Sequence, residues 1–522
     1  MTQDRDFGLL SDPLLTVQCL GREPALETLP GVLARLGTGE AIQFPRLQAH
    51  QGHAWHAFLV QLAALVAHRR GSDDLTLSED AWRAALLELT AEAGGEAWHL
   101  RVDDLSKPAF FQNPVPEGDL QGYKDPTVFP DDMDVLLVAR NHDVKTRRIA
   151  HPEPELWVYT LVTLQTMQGF LGRGNYGIAR MNGGFSSRPC VGFAPSTAWP
   201  DRFARDVQVW LDTRPELTGE DYGYPEEGGL ALLWLPPWDG AKESSRALTG
   251  CDPFFIEVCR RVRLVDDGRG RLECRRTNTQ APFLDAKHAN GDTGDIWMPV
   301  GADGKALTVS GSGFDYQRLT RILFGGEYPR KPALEIREED GPEPVLIAEV
   351  LVRGQGQTEG YHRRVIPVPP KARSRLLSDD EENGLGNLAE ARVRQAGVAR
   401  RDVLHRALCS LLQGGKDRLD FRDRRMSPWT ERFDRAVDAV FFEDLWDAAD
   451  LPPEEANRRW DYRLFELARA QFDHATEAAP KAEATGLRAE ARSRLFFHAL
   501  ARKLLKGAFT RDDSEETTDD AA

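Results

Sequence analysis

Apolar residues recur at helical spacing in two separate parts of the chain. Trp55, Leu59, Leu62, Ala63 and Val66 repeat every three or four positions, as do Trp82, Ala85, Leu86 and Leu89, so two helices are predicted with their apolar stripes turned to a core. Glu155 to Gln168 carries apolar or small residues on every face (Leu156, Trp157, Tyr159, Leu161, Val162, Leu164, Met167), the pattern of a buried helix rather than a strand. Alternating or continuous apolar runs predict strands elsewhere: two short ones within Phe7–Gln18 around a proline turn, a buried one at Val135–Ala139, and one at Val345–Arg353. Phe254–Val265 reads as a single strand whose polar side carries Glu257, Arg261 and Arg263. The turn Pro108–Pro114 (PAFFQNP) has the aromatic content of a core plug. From about Leu385 the period is helical throughout, with stripes at Leu404/Leu408/Leu411, Phe433/Val437/Phe441, Trp460/Leu464/Ala468 and Leu487/Ala491/Leu495. Ser427-Pro428 marks a helix start, and Pro452-Pro453 and Pro480 break the series, so four helices with short connections predict an antiparallel bundle.

The fold class expected is therefore α+β: a large mixed N-terminal domain over residues 1–368, a linker at 369–384, a C-terminal four-helix bundle at 385–508, and an acidic tail at 509–522 that reads as a solvated end. A chain of 522 residues, 41% hydrophobic and 28% charged, has material for sizeable cores and the balance of an ordinary globular protein. No stretch approaches the roughly 18 apolar residues a membrane helix needs, and MTQDRDFG has no apolar signal region, so a cytosolic location without membrane association is expected. Six scattered cysteines make no C-x-x-C pair, which implies free thiols and neither a disulfide scaffold nor a zinc site. With 82 acidic against 66 basic residues the net charge is −16, so any nucleic-acid contact must come from local basic patches.

One such patch is Arg140–His151, where Arg140, Lys145, Arg147 and Arg148 cluster as phosphate-binding cations do; a solvated loop is the other reading. The stretch Gln168–Val191 (QGFLGRGNYGIARMNGGFSSRPCV) follows, its glycines interleaved with Arg173, Asn175, Tyr176, Arg180 and Arg188. Glycines let the backbone approach another surface closely, and Arg173, Arg180 and Arg188 are candidate phosphate contacts. Gly172, Gly174 and Gly177 also spell G-x-G-x-x-G, which would make a nucleotide-dependent enzyme the alternative. That fingerprint needs a strand before it and a helix after it, and neither is suggested here. A surface loop whose glycines merely make turns is the third reading. No nucleophile elbow, phosphate loop or paired metal-carboxylate motif is present, so no catalytic residue, cofactor or metal is expected and a binding role is favoured over catalysis.

The order of the FGLLSDPLLTV entry, the PAFFQ turn, the basic loop, the glycine-rich stretch, a late glutamine turn at Gly354–Gln357 and the helical C-terminus resembles the large-subunit (CasA) family of the type I-E CRISPR Cascade surveillance complex, over nearly the whole length. The resemblance implies a non-catalytic subunit that reads the protospacer-adjacent motif of double-stranded target DNA from the minor groove, promotes R-loop formation and helps recruit the helicase-nuclease. It also implies partners: target DNA, the 5′ end of the guide RNA and the other Cascade subunits. By position it places motif reading at Gly174, Asn175, Tyr176, Gly177 and Lys287 (within FLDAK), and a duplex-splitting wedge at Gln357. A loop docking beside the guide RNA falls at His142, Asp143, Val144, Lys145, Arg147 and Arg148.

Overall fold

The computed structural model describes residues 6–124, 126–133, 152–177, 180–181, 187–354, 357–377, 384–415, 418–479 and 484–510. The chain divides into two compact units: Met1–Phe314 with Glu327–Pro367, and Asp315–Gly326 with Val368–Ala522.

The first unit contains helices α1 (Leu29–Gly37), α2 (Gly52–Arg70), α3 (Glu79–Leu89), α4 (Pro154–Thr166) and α5 (Trp199–Leu217). Its strands are β1 (Leu15–Cys19), β2 (Ala25–Glu27), β3 (Ile42–Gln43), β4 (Cys190–Ala194), β5 (Leu230–Leu232), β6 (Arg246–Ala247), β7 (Cys251–Ile256), β8 (Arg261–Asp266), β9 (Leu272–Thr277), β10 (Leu284–Asp285), β11 (Val345–Gly354) and β12 (Gln357–Pro367). They pair into small sheets in the orders β2-β1-β3 and β12-β11-β4, both antiparallel, with the antiparallel pair β8-β9 and the parallel pairs β5-β7 and β10-β6.

Local chemistry sets the helix starts. Thr28 Oγ1 accepts from Gly31 N at 3.0 Å at the head of α1, and Ser78 Oγ accepts from Ala81 N at 3.2 Å at the head of α3, each satisfying a donor the first turn leaves open. α2 is buried without a break from His53 to Ala67, so it runs through the core rather than over it. Its Trp55 and Phe58 share one core with Trp98, Phe110, Phe111 and Trp234, each large side chain contributing about 1.5–3 kcal/mol by leaving water. The PAFFQ turn is the plug its composition suggested: Phe111, at φ +57°, stacks on Trp234 with ring centroids 4.6 Å apart.

The helices α2, α3 and α4 and the strand β11 fall where the periodicity placed them. Two strand readings are corrected. Within Phe7–Gln18 only the second strand forms, because Ser11 and Asp12 donate to the Gly8 carbonyl while Gly8 N donates to Asp12 Oδ2, which closes a turn in place of the first. Phe254–Val265 is two strands, β7 and β8, with Glu257 in the break. Cys259 N and Arg260 N there donate to Gln165 Oε1 of α4, both at 2.8 Å, so they are lost to a strand ladder. Val135–Ala139 and the basic loop lie outside the described residues.

The second unit holds α6 (Tyr316–Leu323), α7 (Pro370–Leu377), α8 (Leu385–Val398), α9 (Arg406–Leu412), α10 (Ser427–Asp447), α11 (Pro453–Ala478) and α12 (Ala484–Leu504). α8 and α9 run on through a single stretch of wider, π-helical turns at Ala399–His405. With α10, α11 and α12 they make the C-terminal helical bundle of an α+β chain. Pro370–Leu377, in the stretch read as a linker, is helical, and α6 is a contribution to this unit from earlier in the chain that linear order did not announce. Among the described residues no helix is long and apolar enough to cross a membrane.

Candidate nucleic-acid interface

The glycine-rich stretch leaves α4 and at once turns on itself. Asn175 N donates to the Gly172 carbonyl and Leu171 N to the Asn175 carbonyl, both at 3.0 Å. Gly174 takes φ +85°, and a Cβ there would lie 3.0 Å from the Asn278 side chain, so the position favours glycine on two counts. Thr279 clasps the turn: its N–H donates to the Gly174 carbonyl at 2.9 Å, its Oγ1 accepts from Tyr176 N at 2.9 Å, and that hydroxyl donates to the Tyr176 carbonyl at 3.2 Å. Gly177 is buried against Cys259 and Arg260, and a Cβ there would collide with the Arg260 guanidinium. Arg173, at the tip of the turn, is exposed.

Arg180 and Arg188 are not phosphate contacts. Their side chains have no solvent exposure, and their guanidinium groups are spent inside the unit. Arg188 Nε donates to Asp295 Oδ2 at 2.7 Å, Nη1 to Glu257 Oε1 at 3.2 Å and Nη2 to Gln61 Oε1 at 3.4 Å. Arg180 donates to the carbonyls of Pro253 and Phe255 and lies 3.8 Å over the Phe255 ring, with its Nε 3.8 Å from Glu257 Oε2. Burial opposes the Arg188 charge, but Asp295 and Glu257 outweigh it and raise the pKa. For Arg180 burial wins over Glu257 and Asp295, and the pKa is lowered; Glu257 is raised by burial against the pull of Arg188 and Arg180. An anion outside cannot reach these groups, and two cations held by two carboxylates offer it no net attraction.

Lys287 is exposed, in a single helical turn (Lys287–Ala289) just after β10. The chain on either side of it touches the glycine-rich stretch: Thr279 clasps Gly174 and Tyr176, the Thr293 carbonyl accepts from Arg180 Nη1 at 3.3 Å, and Asp295 holds Arg188. The far end of the stretch meets the β11-β12 hairpin, where Ser187 Oγ accepts from Arg353 N at 2.9 Å. In that hairpin Gly354 pairs with Gln357, so Gln357 opens β12 as its last pair and the two-residue connection is 355–356, outside the described residues. The loop His142–Arg148 also lies outside the described residues.

Over nearly its full length the chain superposes on solved structures. CasA of Thermus thermophilus matches with a TM-score of 0.65 at 16% identity, covering 96% of this chain and 100% of that one. Cse1 of Thermobifida fusca matches at 0.65 and 15% identity over 97% and 100%, and the CRISPR-associated protein Cse1 of Acidimicrobium ferrooxidans at 0.61 and 16% over 95% and 99%. This chain has the CasA (Cse1) fold. No protein-family model matches it, and no curated protein matches it in sequence. The likeness to CasA therefore rests on shape, where the ordered motifs of the sequence had also pointed.

Inside this CasA fold the residues that position the turn were missed by sequence reasoning. Thr279, Ser187 and Arg260 are ordinary polar residues whose partners lie far away in the chain. Gln165 alone carried a signal, as an amide on an otherwise apolar helix: besides the two N–H groups it accepts from, it donates to the carbonyls of Phe111 at 2.8 Å and Arg260 at 2.9 Å. Arg276, exposed on β9 just before Asn278 and Thr279, adds a cation beside Arg173 and Lys287 in the set able to meet phosphate.

Proposed function

We propose that this chain is the non-catalytic large subunit of an RNA-guided CRISPR complex of the type I-E Cascade kind. It reads a short motif in double-stranded target DNA, helps open the duplex so that the guide can pair, and contributes to recruiting the helicase-nuclease. Its partners are target DNA, the guide RNA's 5′ end and the other Cascade subunits, and its place is the cytoplasm. The observation that carries this reading is the double tethering of the glycine-rich stretch, through Thr279 and Asp295 to the segment bearing exposed Lys287, and through Ser187 to the hairpin bearing Gln357. Three segments far apart in sequence are thereby held in one frame.

The chemistry suits loose reading of a groove. Minor-groove edges offer a few acceptors and, at G·C pairs, one donor, so a bare backbone at Gly174–Gly177 and a lysine suffice for degenerate discrimination, and base pairing with the guide supplies sequence identity. Opening a base step costs a few kcal/mol, which a hairpin end near Gln357 can offset only together with the cationic contacts around it. The alternative, a nucleotide-dependent enzyme using GRGNYG, loses its premise because a buried helix, α4, precedes the glycines where the dinucleotide fold requires a strand.

The test uses a complex reconstituted with guide RNA. Lys287→Ala and Gln357→Ala should each weaken binding to motif-bearing duplex by roughly tenfold while sparing a pre-melted target, and Lys287→Ala should lower the salt slope by about 1. Equal losses on both substrates would sink the assignment. Calorimetry with common nucleotides should register no binding.

A further inference from the structure

The first unit holds a half-open cleft of about 710 Å³ that DNA reading does not use, lined from β1, β3, the head of α5 and the β11-β12 hairpin. Its apolar wall includes Phe44 and Trp199, whose rings meet edge to face at 4.9 Å, and Leu20, which is 91% exposed. Gln18 and Gln43 are register partners on β1 and β3 and both line the cleft, so their side chains share one face of that sheet. Neither amide has a hydrogen-bond partner among the described residues.

Two cations line the cleft against one carboxylate. Arg202 Nη2 donates to Glu349 Oε2 at 2.8 Å and Arg363 Nε to Glu349 Oε1 at 3.2 Å, the oxygen that also receives the Tyr361 hydroxyl at 2.7 Å. Among the described residues no other carboxylate pairs with either arginine, and no other charged side chain lines the cleft. Of the acids next in sequence to the wall, Glu40 is taken by Arg35 at 2.6 Å and Asp201 accepts from Ser196 Oγ at 2.6 Å. The Arg363 side chain is 42% exposed and gives Glu349 only its Nε. The outer edge of its guanidinium, where Nη1 and Nη2 point the same way, is left for the fork that a second carboxylate fits in two parallel hydrogen bonds.

We propose that this cleft docks an extended acidic segment of a partner protein. One carboxylate of the segment meets the outer edge of Arg363, its backbone meets the amides of Gln18 and Gln43, and its apolar side chains lie on Phe44 and Trp199. An amide both donates and accepts, which is what an extended backbone asks of its neighbours. A nucleic-acid strand asks instead for a row of cations, and here one surplus positive charge stands among apolar walls.

Fluorescence anisotropy of the full chain tests this with a dye-labelled, end-blocked pentapeptide alternating leucine and glutamate. It should bind saturably and roughly tenfold more tightly than the same peptide with glutamine for glutamate. Arg363→Ala should weaken binding roughly tenfold, Arg363→Lys should restore only part of the loss, and Gln43→Leu should weaken it about threefold; both positions are exposed, so the fold is kept. Lys287→Ala should leave the peptide affinity unchanged, so this site and the DNA reading can fail separately. The proposal is overturned if no saturable binding is seen, if the glutamine peptide binds as well, or if Arg363→Ala and Gln43→Leu behave as the natural chain. It is equally overturned if a single-stranded oligothymidylate or sodium acetate displaces the labelled peptide as readily as unlabelled peptide does, since the occupant would then be a nucleic acid or a free acid.

Discussion

Arg173 and Arg188 belong to one glycine-rich stretch and meet opposite fates. The first sits exposed on a turn that Thr279 holds through its N–H and its hydroxyl; the second is sealed in the interior between Asp295 and Glu257. At the exposed end the protein spends neutral hydrogen bonds on the backbone and leaves its cation in water. At the buried end it spends charge, matching two guanidinium groups with two carboxylates so that a flexible segment is tied to the core. The lesson is that an arginine beside glycines is no guide to its use. What decides is whether a carboxylate from elsewhere in the fold has been brought to meet it.

The contrast breaks most readily at the buried end. Arg188→Ala strips Asp295 of its ion-pair partner and leaves Glu257 only the more distant Arg180, and should cost about 3–5 kcal/mol of unfolding free energy in denaturant titration. A loss below about 1 kcal/mol would mean the arginine is not an anchor.

Acid should expose the same dependence on buried charge. Glu349, 2.8 Å from Arg202 and receiving the Tyr361 hydroxyl at 2.7 Å, has its pKa lowered from 4.5 to about 2; burial opposes the shift, and Arg202 with His53 overcomes it. Its contribution is complete above pH 4.5 and is lost as pH falls through 2. His53, lowered from 6.5 to about 4 by burial, is neutral when folded, so the unfolded chain binds its proton first and stability declines between pH 6.5 and 4. The two groups push in one direction, each by about 1.4 kcal/mol per pH unit at most. Stability measured by denaturant should therefore fall steadily below pH 6.5, and His53→Gln should flatten the upper part of that decline.

Where no ion pair is broken the effects shrink. Gly177→Ala forces the Arg260 guanidinium to move and presses on the Cys259 carbonyl, at a cost of about 1–3 kcal/mol in thermal melts. Lys287→Ala should change stability by less than about 0.5 kcal/mol, since the side chain is exposed, and its effect should appear in DNA binding alone. If Lys287→Ala proved as destabilising as Gly177→Ala, the division between anchor and contact would be wrong.

Much of the fold was legible because its signals are local and repeated. The all-round apolar helix α4, the stripes of α2 and α3, the PAFFQ plug and the proline-punctuated C-terminal helices each bury an apolar face that periodicity discloses over a dozen residues. The break between β7 and β8 was not, because it is made by Gln165 on a helix distant in the chain, and no window around Phe254–Val265 contains that partner. At the candidate site, Lys287 was singled out by the family resemblance of FLDAK and the fold leaves it exposed, while Arg180 and Arg188 were misread because an ion pair leaves no periodic trace.

By itself, then, the order of residues disclosed the helices α2, α3 and α4, the apolar faces they must hide, and that the chain is α+β with a helical C-terminal part, since these depend on neighbours within a turn or two. Only the tertiary structure decided which cations remain in water, which glycine must stay bare, and that Thr279, Asp295 and Ser187 hold one stretch at both ends. Hydrogen bonds and ion pairs are pairwise, directional and indifferent to sequence distance, so their partners become known only when the fold has brought them within about 3 Å.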